Sequence, residues 1–369
     1  MKRAAAAAIS LMTGLAMLTG CSRAEVEETI QPLVADAIEE SDSEAEAVKE
    51  EDESPLIPEI DTDIKIHAGS RIAVVSKCVK GEYWKMVKKG MEDAVKEINK
   101  AYGYKKDDQI TMTFEGPDNE EDVETQINTI DAVIAENPDV LCISASDMDS
   151  CEAQLEAAKE NGIPVIAFDS NVAEKKLVKA YRGTDNVQVG KMAAYQLGSA
   201  LGKMGKVAVF SAQQKTKSVQ DRVEGFMNNI GKYGDIEVVE TIYSDQVDDM
   251  EASMKEVLEK YPTLDGVFCT NADITEMYLN LEKSDEHDAP ALVGVDATTK
   301  QQEAIRNGEE IGCVSQQPYA MGYQTIWAAV ETTAPKKSVV IEKNVLSNPA
   351  WIDADCLDDS DYSGYLYTE

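Results

Sequence analysis

The sequence predicts an α/β protein built from two similar open parallel sheets, and three observations carry that expectation. Short apolar runs bounded by turns alternate with segments of helical length along the chain from Ile64 onward, the signature of strand and crossover helix in parallel sheets covered on both faces. Helix-stopping punctuation recurs before the strands, as in Asn161-Gly162-Ile163-Pro164, Glu136-Asn137-Pro138-Asp139 and the Gly202 to Gly205 stretch. A chain of 369 residues, 43% hydrophobic and 28% charged, has the size of about two domains of ~150 residues.

Residues 1 to 20 stand outside that pattern. Met1-Lys2-Arg3 precedes an apolar stretch from Ala4 to about Leu18, shorter than the ~20 residues of a spanning helix and shaped as a secretory signal peptide. Leu18-Thr19-Gly20-Cys21 resembles the bacterial lipobox, in which the cysteine sulfur is acylated before cleavage, so Cys21 is expected to be the lipid anchor. Residues 21–63 follow as a tether. From Ser22 to Asp63 there are 16 acidic residues against Arg23 and Lys49, with no aromatic, too little apolar surface to offset ordering entropy. The protein is thus expected outside the cytoplasm, held on the bacterial membrane by its lipid. The formal net charge of −34 disfavours nucleic acid or an anionic surface as the main partner.

The regular part then reads element by element. Strands are expected at Arg71 to Ser76, Ile110 to Glu115, Val140 to Ser144 and Pro164 to Phe168. A second series lies at Lys206 to Ser211, Ile236 to Thr241, Gly266 to Cys269, Ala291 to Val295 and Gly312 to Ser315. Helices are expected between them, among others at Tyr83 to Tyr102, Val123 to Glu136, Cys151 to Asn161, Val187 to Lys203, Val219 to Ile230, Met250 to Lys260 and Thr275 to Lys283. In the first helix Met86, Val87, Met91, Ala94, Val95 and Ile98 recur at steps of three and four and form one face. Four strand-helix units precede about Asp185 and four or five follow, which makes two similar sheets; spacing does not say how they connect. Cys142, Cys269 and Cys313 lie in or beside strand-like runs, so reduced, buried thiols are favoured over disulfides.

Ligands of open parallel sheets bind beyond the carboxyl ends of the strands. The residues there are Lys80-Gly81-Glu82-Tyr83-Trp84, Ser144 to Asp147, Asp169-Ser170-Asn171, Gln213 to Lys217, Asn271-Ala272-Asp273, Asp296-Ala297-Thr298 and Gln316-Gln317. Carboxylates and amides exchange paired hydrogen bonds with vicinal hydroxyls, and an aromatic face packs on the C–H side of a sugar ring. A neutral polyol suits this set. Catalytic signatures are missing: His67 and His287 sit in polar surroundings, and nucleophile-elbow, zinc-protease, Walker and dinucleotide motifs are absent. The acids at Asp245, Asp248 and Asp249 and from Asp353 to Asp361 lack EF-hand spacing. No cofactor and no metal is expected.

From Arg71 to about Val345 the chain resembles the periplasmic sugar-binding proteins of the ribose and galactose type, the type I periplasmic binding protein fold shared with the ligand core of lac-type repressors. The likeness runs through Arg71 to Ser76 with Tyr83-Trp84 and Gly90, Gly162 to Asp169, Asp185-Asn186 leading to Gly190, and Arg222-Val223-Glu224-Gly225-Phe226. It continues through Asn271-Ala272-Asp273, Val293-Gly294-Val295-Asp296 and Gln316-Gln317-Pro318. The resemblance implies two lobes joined by a three-stranded hinge, 64–184 with 317–344 and 185–316 with 345–369, closing on a ligand. It implies ring contacts from Tyr83 and Trp84, a hydroxyl-binding pair Asp169 and Arg222, and polar contacts from Asn271, Asp296, Gln316 and, across a one-residue gap, Gln246. Ser170, also expected at the ligand, stands where the ribose type has an arginine, and Gly81 where it has an asparagine, so ribose itself is disfavoured. Helix-start packing is the competing reading of Tyr83 and Trp84, a loop cap that of Asp169 and Asp296. The expected role is that of a monomeric, lipid-anchored substrate-binding subunit of a bacterial ABC importer, handing a monosaccharide or polyol to permease subunits. A receptor feeding a membrane sensor and an exported hydrolase are the alternatives.

Overall fold

The structure, a computed structural model, describes residues 57–281, 289–335 and 339–368; Cys21, the tether up to residue 56 and His287 lie outside them. The first half runs β1 (Arg71–Val75), α1 (Gly81–Tyr102), β2 (Thr111–Glu115), α2 (Val123–Ala135), β3 (Val140–Ile143), α3 (Glu152–Glu160), β4 (Val165–Phe168) and β5 (Ala180–Thr184). The second runs α4 (Asn186–Ala200), β6 (Met204–Ser211), α5 (Lys217–Ile230), β7 (Asp235–Tyr243), α6 (Met250–Lys260), β8 (Gly266–Cys269), α7 (Ala272–Leu279), β9 (Ala291–Val295), α8 (Thr299–Asn307) and β10 (Gly312–Ser315). Then follow α9 (Pro318–Thr332), β11 (Asn344–Ser347) and β12 (Ala350–Ile352).

Two six-stranded sheets result, ordered β11-β5-β4-β3-β1-β2 and β12-β10-β9-β8-β6-β7. All pairings are parallel except that of β12 with β10. Side chains alternate across each strand, and this places two cores on each sheet. Ile72 and Val74 of β1 pack with α1 and α9, whereas Ala73 and Val75 face α2 and α3. In the second sheet Ala208 and Phe210 face α6 and α7, while Val207 and Val209 face α4 and α5.

The chain passes between the sheets three times, after β5, after β10 and between β11 and β12. The last passage lies later than the expected boundary at 345, because Val345, Leu346 and Ser347 pair with Arg182, Gly183 and Thr184 in the first sheet. The start of the folded part also differs. Ile60 packs on the first core, and the Tyr102 hydroxyl reaches the carbonyls of Asp61 and Ile64 at 2.9 and 2.7 Å, so residues 60–63 belong to the fold instead of the tether. Cys78, Cys142, Cys151, Cys269 and Cys313 are buried and form no disulfide.

Candidate functional site

Between the carboxyl edges of the two sheets lies a cleft of about 720 Å³, within the ~300–1,000 Å³ of small-molecule sites. Hydrogen bonds join its two sides: Glu82 at the start of α1 accepts from the Thr299 amide of α8 at 2.7 Å, and the Ser244 hydroxyl reaches Glu121. The lobes are therefore in contact across the opening.

Two aspartates anchor it. Asp169 and Asp296 directly follow β4 and β9, and both adopt left-handed backbone angles, φ 54° and 78°. Asp is among the few side chains that tolerate this region, and the twist turns each carboxylate off its strand end. Asp169 accepts from the Tyr83 hydroxyl at 2.7 Å, from Ser144 at 2.8 Å and from Ser170 at 2.9 Å. Its cation is Lys77, just after β1, with Nζ 3.0 Å from Oδ2. Lys77 also lies 3.6 Å from Glu120 and 5.7 Å from the centroid of the Trp84 ring, whose indole N–H donates to Glu120 at 2.7 Å. Burial alone would lower the Lys77 pKa, but attraction to Asp169 and Glu120 outweighs it and raises the value. Burial would likewise push Asp169 up, and Lys77 with the Tyr83 and Ser144 hydroxyls holds it below the ordinary range instead. The first lobe thus presents an ionised pair beside two aromatic rings set edge to face at 5.1 Å. Gly81, with φ +86°, supplies the turn that opens α1 and brings both rings to the cleft.

The second lobe contributes Arg222 from α5. Its Nε donates to Asn186 and Nη1 to the Thr270 carbonyl, both at 2.8 Å. Nη2 has no such bond among the described residues, and the side chain lines the cleft. Asn271 caps α7 through Oδ1, bonded to the Ile274 amide at 3.2 Å, and turns toward the same space. Asp296 accepts from Gln316 at 2.6 Å and from the Ala272 amide at 3.0 Å.

Seven of the nine residues expected at the ligand line the cleft: Tyr83, Trp84, Asp169, Arg222, Asn271, Asp296 and Gln316. Ser170 does not. It is fully buried behind Asp169 and bonded to Ser218 at 2.7 Å, because the left-handed turn at Asp169 sends the next side chain inward. Gln246 is also outside, exposed and bonded to Gln214 at 2.7 Å, while its neighbours Ser244, Val247 and Asp248 line the cleft. The sequence pattern does not point to Lys77 or Glu120, and it reaches Asp273 only within the strand-end stretch Asn271 to Asp273. Lys77 sits only three residues before the Lys80 to Trp84 stretch that the pattern does reach, and its position after an apolar run was the available signal.

The lining holds nine carboxylates, Glu82, Asp118, Glu120, Glu121, Asp169, Asp248, Asp273, Glu276 and Asp296, against three cations, Lys77, Lys80 and Arg222. Asp273 shows the consequence. It opens onto the cleft, yet desolvation by the walls, then Glu120, Glu276 and Asp296, push its carboxyl up to about 7, with Lys77 opposing. Between its ordinary value of 3.8 and about 7 the folded protein keeps a proton that the unfolded chain has released, so stability falls as pH rises through that window. Asp273→Asn is expected to raise the melting temperature at pH 8 and to lose most of that advantage by pH 4. An equal effect at both pH values in thermal melts would refute the assignment.

Comparison with known proteins agrees with this geometry. The model of the periplasmic binding protein domain matches residues 72–337. The chain belongs to the periplasmic binding protein family. The ribose import binding protein RbsB of Bacillus subtilis is 26% identical over 220 residues, 60% of this chain and 71% of that one. A xylitol-binding protein of Mycolicibacterium smegmatis is 25% identical over 211 residues, 57% of this chain and 60% of that one. Among solved structures, an ABC transporter solute-binding protein of Agrobacterium vitis with bound D-fucose superimposes with a TM-score of 0.72 at 26% identity, covering 81% of this chain and all of that one. A second from the same organism, bound with α-D-tagatopyranose, gives a TM-score of 0.74 at 24% identity over the same shares and supports the two-lobed fold of this periplasmic binding protein.

Proposed function

We propose that this periplasmic binding protein captures a neutral monosaccharide or polyol between its lobes for an ABC importer, working outside the cytoplasm and attached to the membrane through Cys21. The observation that carries the reading is the cleft itself. Two carboxylates at equivalent strand ends face a buried arginine with an unused N–H pair and the rings of Tyr83 and Trp84, a set suited to hydroxyls and to the apolar face of a ring. Relatives named for ribose and xylitol, and a neighbour holding D-fucose, support the same class. The surplus of carboxylates repels anionic ligands, since desolvated like charges cost several kcal/mol. In this reading the closed form is the one that docks on permease subunits, with docking coupled to binding through two-state lobe closure.

Titration calorimetry of the full chain against D-fucose, D-tagatose, D-ribose, xylitol and D-galacturonate tests this. At least one neutral member is expected to bind, the uronate is expected not to, and Arg222→Lys is expected to weaken binding about tenfold by losing the planar donor fork. Binding of the uronate alone, or of none of the five, would overturn the substrate class.

A further inference from the structure

The two aspartates of the cleft are held alike, but the tyrosine that holds the second comes from an unexpected place. In the first lobe the Tyr83 hydroxyl donates to Asp169. In the second, the Tyr367 hydroxyl donates to Asp296 Oδ1 at 2.9 Å, across 71 residues of sequence. Tyr367 lies in the segment 353–368, beyond the 72–337 matched by the family model, and is 1% exposed. Its place is secured by its own backbone. The Tyr367 amide donates to the Ala297 carbonyl at 3.0 Å, and the Tyr367 carbonyl accepts from Gln302 at 2.8 Å. Tyr365, two residues earlier, donates from its hydroxyl to the carbonyl of Asn348 at 3.2 Å, so the segment lies along the third passage between the sheets.

The ring of Tyr367 meets that of Tyr83, with centroids 5.9 Å apart at 56°. One residue thus touches an aromatic of the first lobe and the carboxylate of the second. A carboxylate offers about four acceptor sites. Gln316 and Tyr367 fill two on Oδ1 and the Ala272 amide fills one on Oδ2, which leaves one, on Oδ2, for a ligand. Burial, and then the charge of Asp296, keep the Tyr367 phenol well above its ordinary range, so it remains a donor at neutral pH.

We propose that Tyr367 is a positioning residue of the ligand cleft: it orients Asp296 toward the ligand and backs the Tyr83 ring, so that the segment 353–368 completes a site otherwise built from the two lobes. This rests on the sugar-binding reading of the cleft, and the test separates the two. Calorimetry of the full chain with the tightest binder among D-fucose, D-tagatose, D-ribose and xylitol is run for the parent, Tyr367→Phe, Asp296→Asn and the double variant, alongside thermal melts of each without sugar. Tyr367→Phe is expected to lose about tenfold in affinity, the scale of a hydrogen bond to a charged group, and to lose less than about twofold further when Asp296 is already Asn. Unchanged affinity, or the same tenfold loss in both backgrounds, would overturn the proposal and leave Tyr367 as core packing. If the parent binds none of the four sugars, the sugar reading fails by itself. The melts then decide: non-additive shifts of the two substitutions uphold the Tyr367–Asp296 coupling, and additive shifts overturn it.

Discussion

Lys77→Met is expected to cost ~3–5 kcal/mol of folding stability at pH 7.5 and to abolish ligand binding. Both charges of the Lys77–Asp169 pair are withdrawn from water, with side chains 5% and 4% exposed. Methionine keeps most of the lysine volume but leaves the carboxylate buried without its cation, and the three hydroxyl donors of Asp169 cannot neutralise it. The pH dependence gives the deficit its signature. In the parent, the lowered Asp169 value contributes stability that is present above the ordinary carboxylate range and lost as pH falls through the folded value. Without Lys77 burial prevails, the Asp169 value rises, and acidification relieves the buried charge by protonating it. Urea denaturation is therefore expected to show a smaller deficit at pH 5 than at pH 7.5. Adding Asp169→Asn, which tolerates the left-handed backbone, is expected to recover part of the loss at pH 7.5. A deficit below ~1 kcal/mol, the range of exposed pairs, would mean that water reaches the pair.

Gly190→Ala is the second large effect, at ~3 kcal/mol or more, the upper end of overpacking costs. A Cβ at Gly190 on α4 would stand 1.9 Å from the Arg222 carbonyl oxygen and 2.6 Å from the Phe226 amide of α5, and one at Gly225 would stand 2.1 Å from the Val187 carbonyl. Backbone meets backbone here, so no side chain can swing away. The first lobe repeats the device: a Cβ at Gly90 of α1 would lie 2.0 Å from the Tyr319 carbonyl, and one at Gly322 of α9 would lie 2.1 Å from the Val87 carbonyl. Because α5 carries Arg222, forcing α4 and α5 apart also shifts the arginine, so weaker sugar binding is expected to accompany the lost stability. Gly234→Ala, with nothing within 4 Å of its Cβ, is the control and is expected to stay within ~0.5 kcal/mol. Equal urea midpoints for the two variants would refute the close-packing account.

Elements with a strong local period were legible from the chain alone. The apolar runs of β1, β3, β4, β8, β9 and β10 and the periodic face of α1 all lie where the pattern puts them. β5 escaped because Ala-Tyr-Arg-Gly-Thr carries a buried arginine, whose Nη1 donates to the carbonyls of Tyr181 and Glu342 at 3.0 and 2.9 Å. Such a partner cannot be seen in a hydropathy pattern. β11 and β12 are four and three residues long, too short for a period to show. α9 was not singled out because it is apolar nearly all round, with Met321, Tyr323, Ile326, Trp327 and Val330 all buried; it has no polar stripe to mark it as a surface helix.

The cleft divides along the same line. Asp169, Asp296, Asn271 and Gln316 were legible because each follows an apolar strand, and in an open parallel sheet that position points to the ligand edge. Local pattern thus sufficed for the alternating architecture, its two halves and the strand-end half of the site, since those follow from interactions within a few residues. It did not reveal that Ser170 turns inward, that Gln246 turns away, that Lys77 supplies the cation for Asp169, or that Tyr367 reaches Asp296. Each of those depends on a backbone twist or on partners brought together over tens to hundreds of residues, where hydrogen-bond and ion-pair energies of a few kcal/mol are realised only after both lobes have packed.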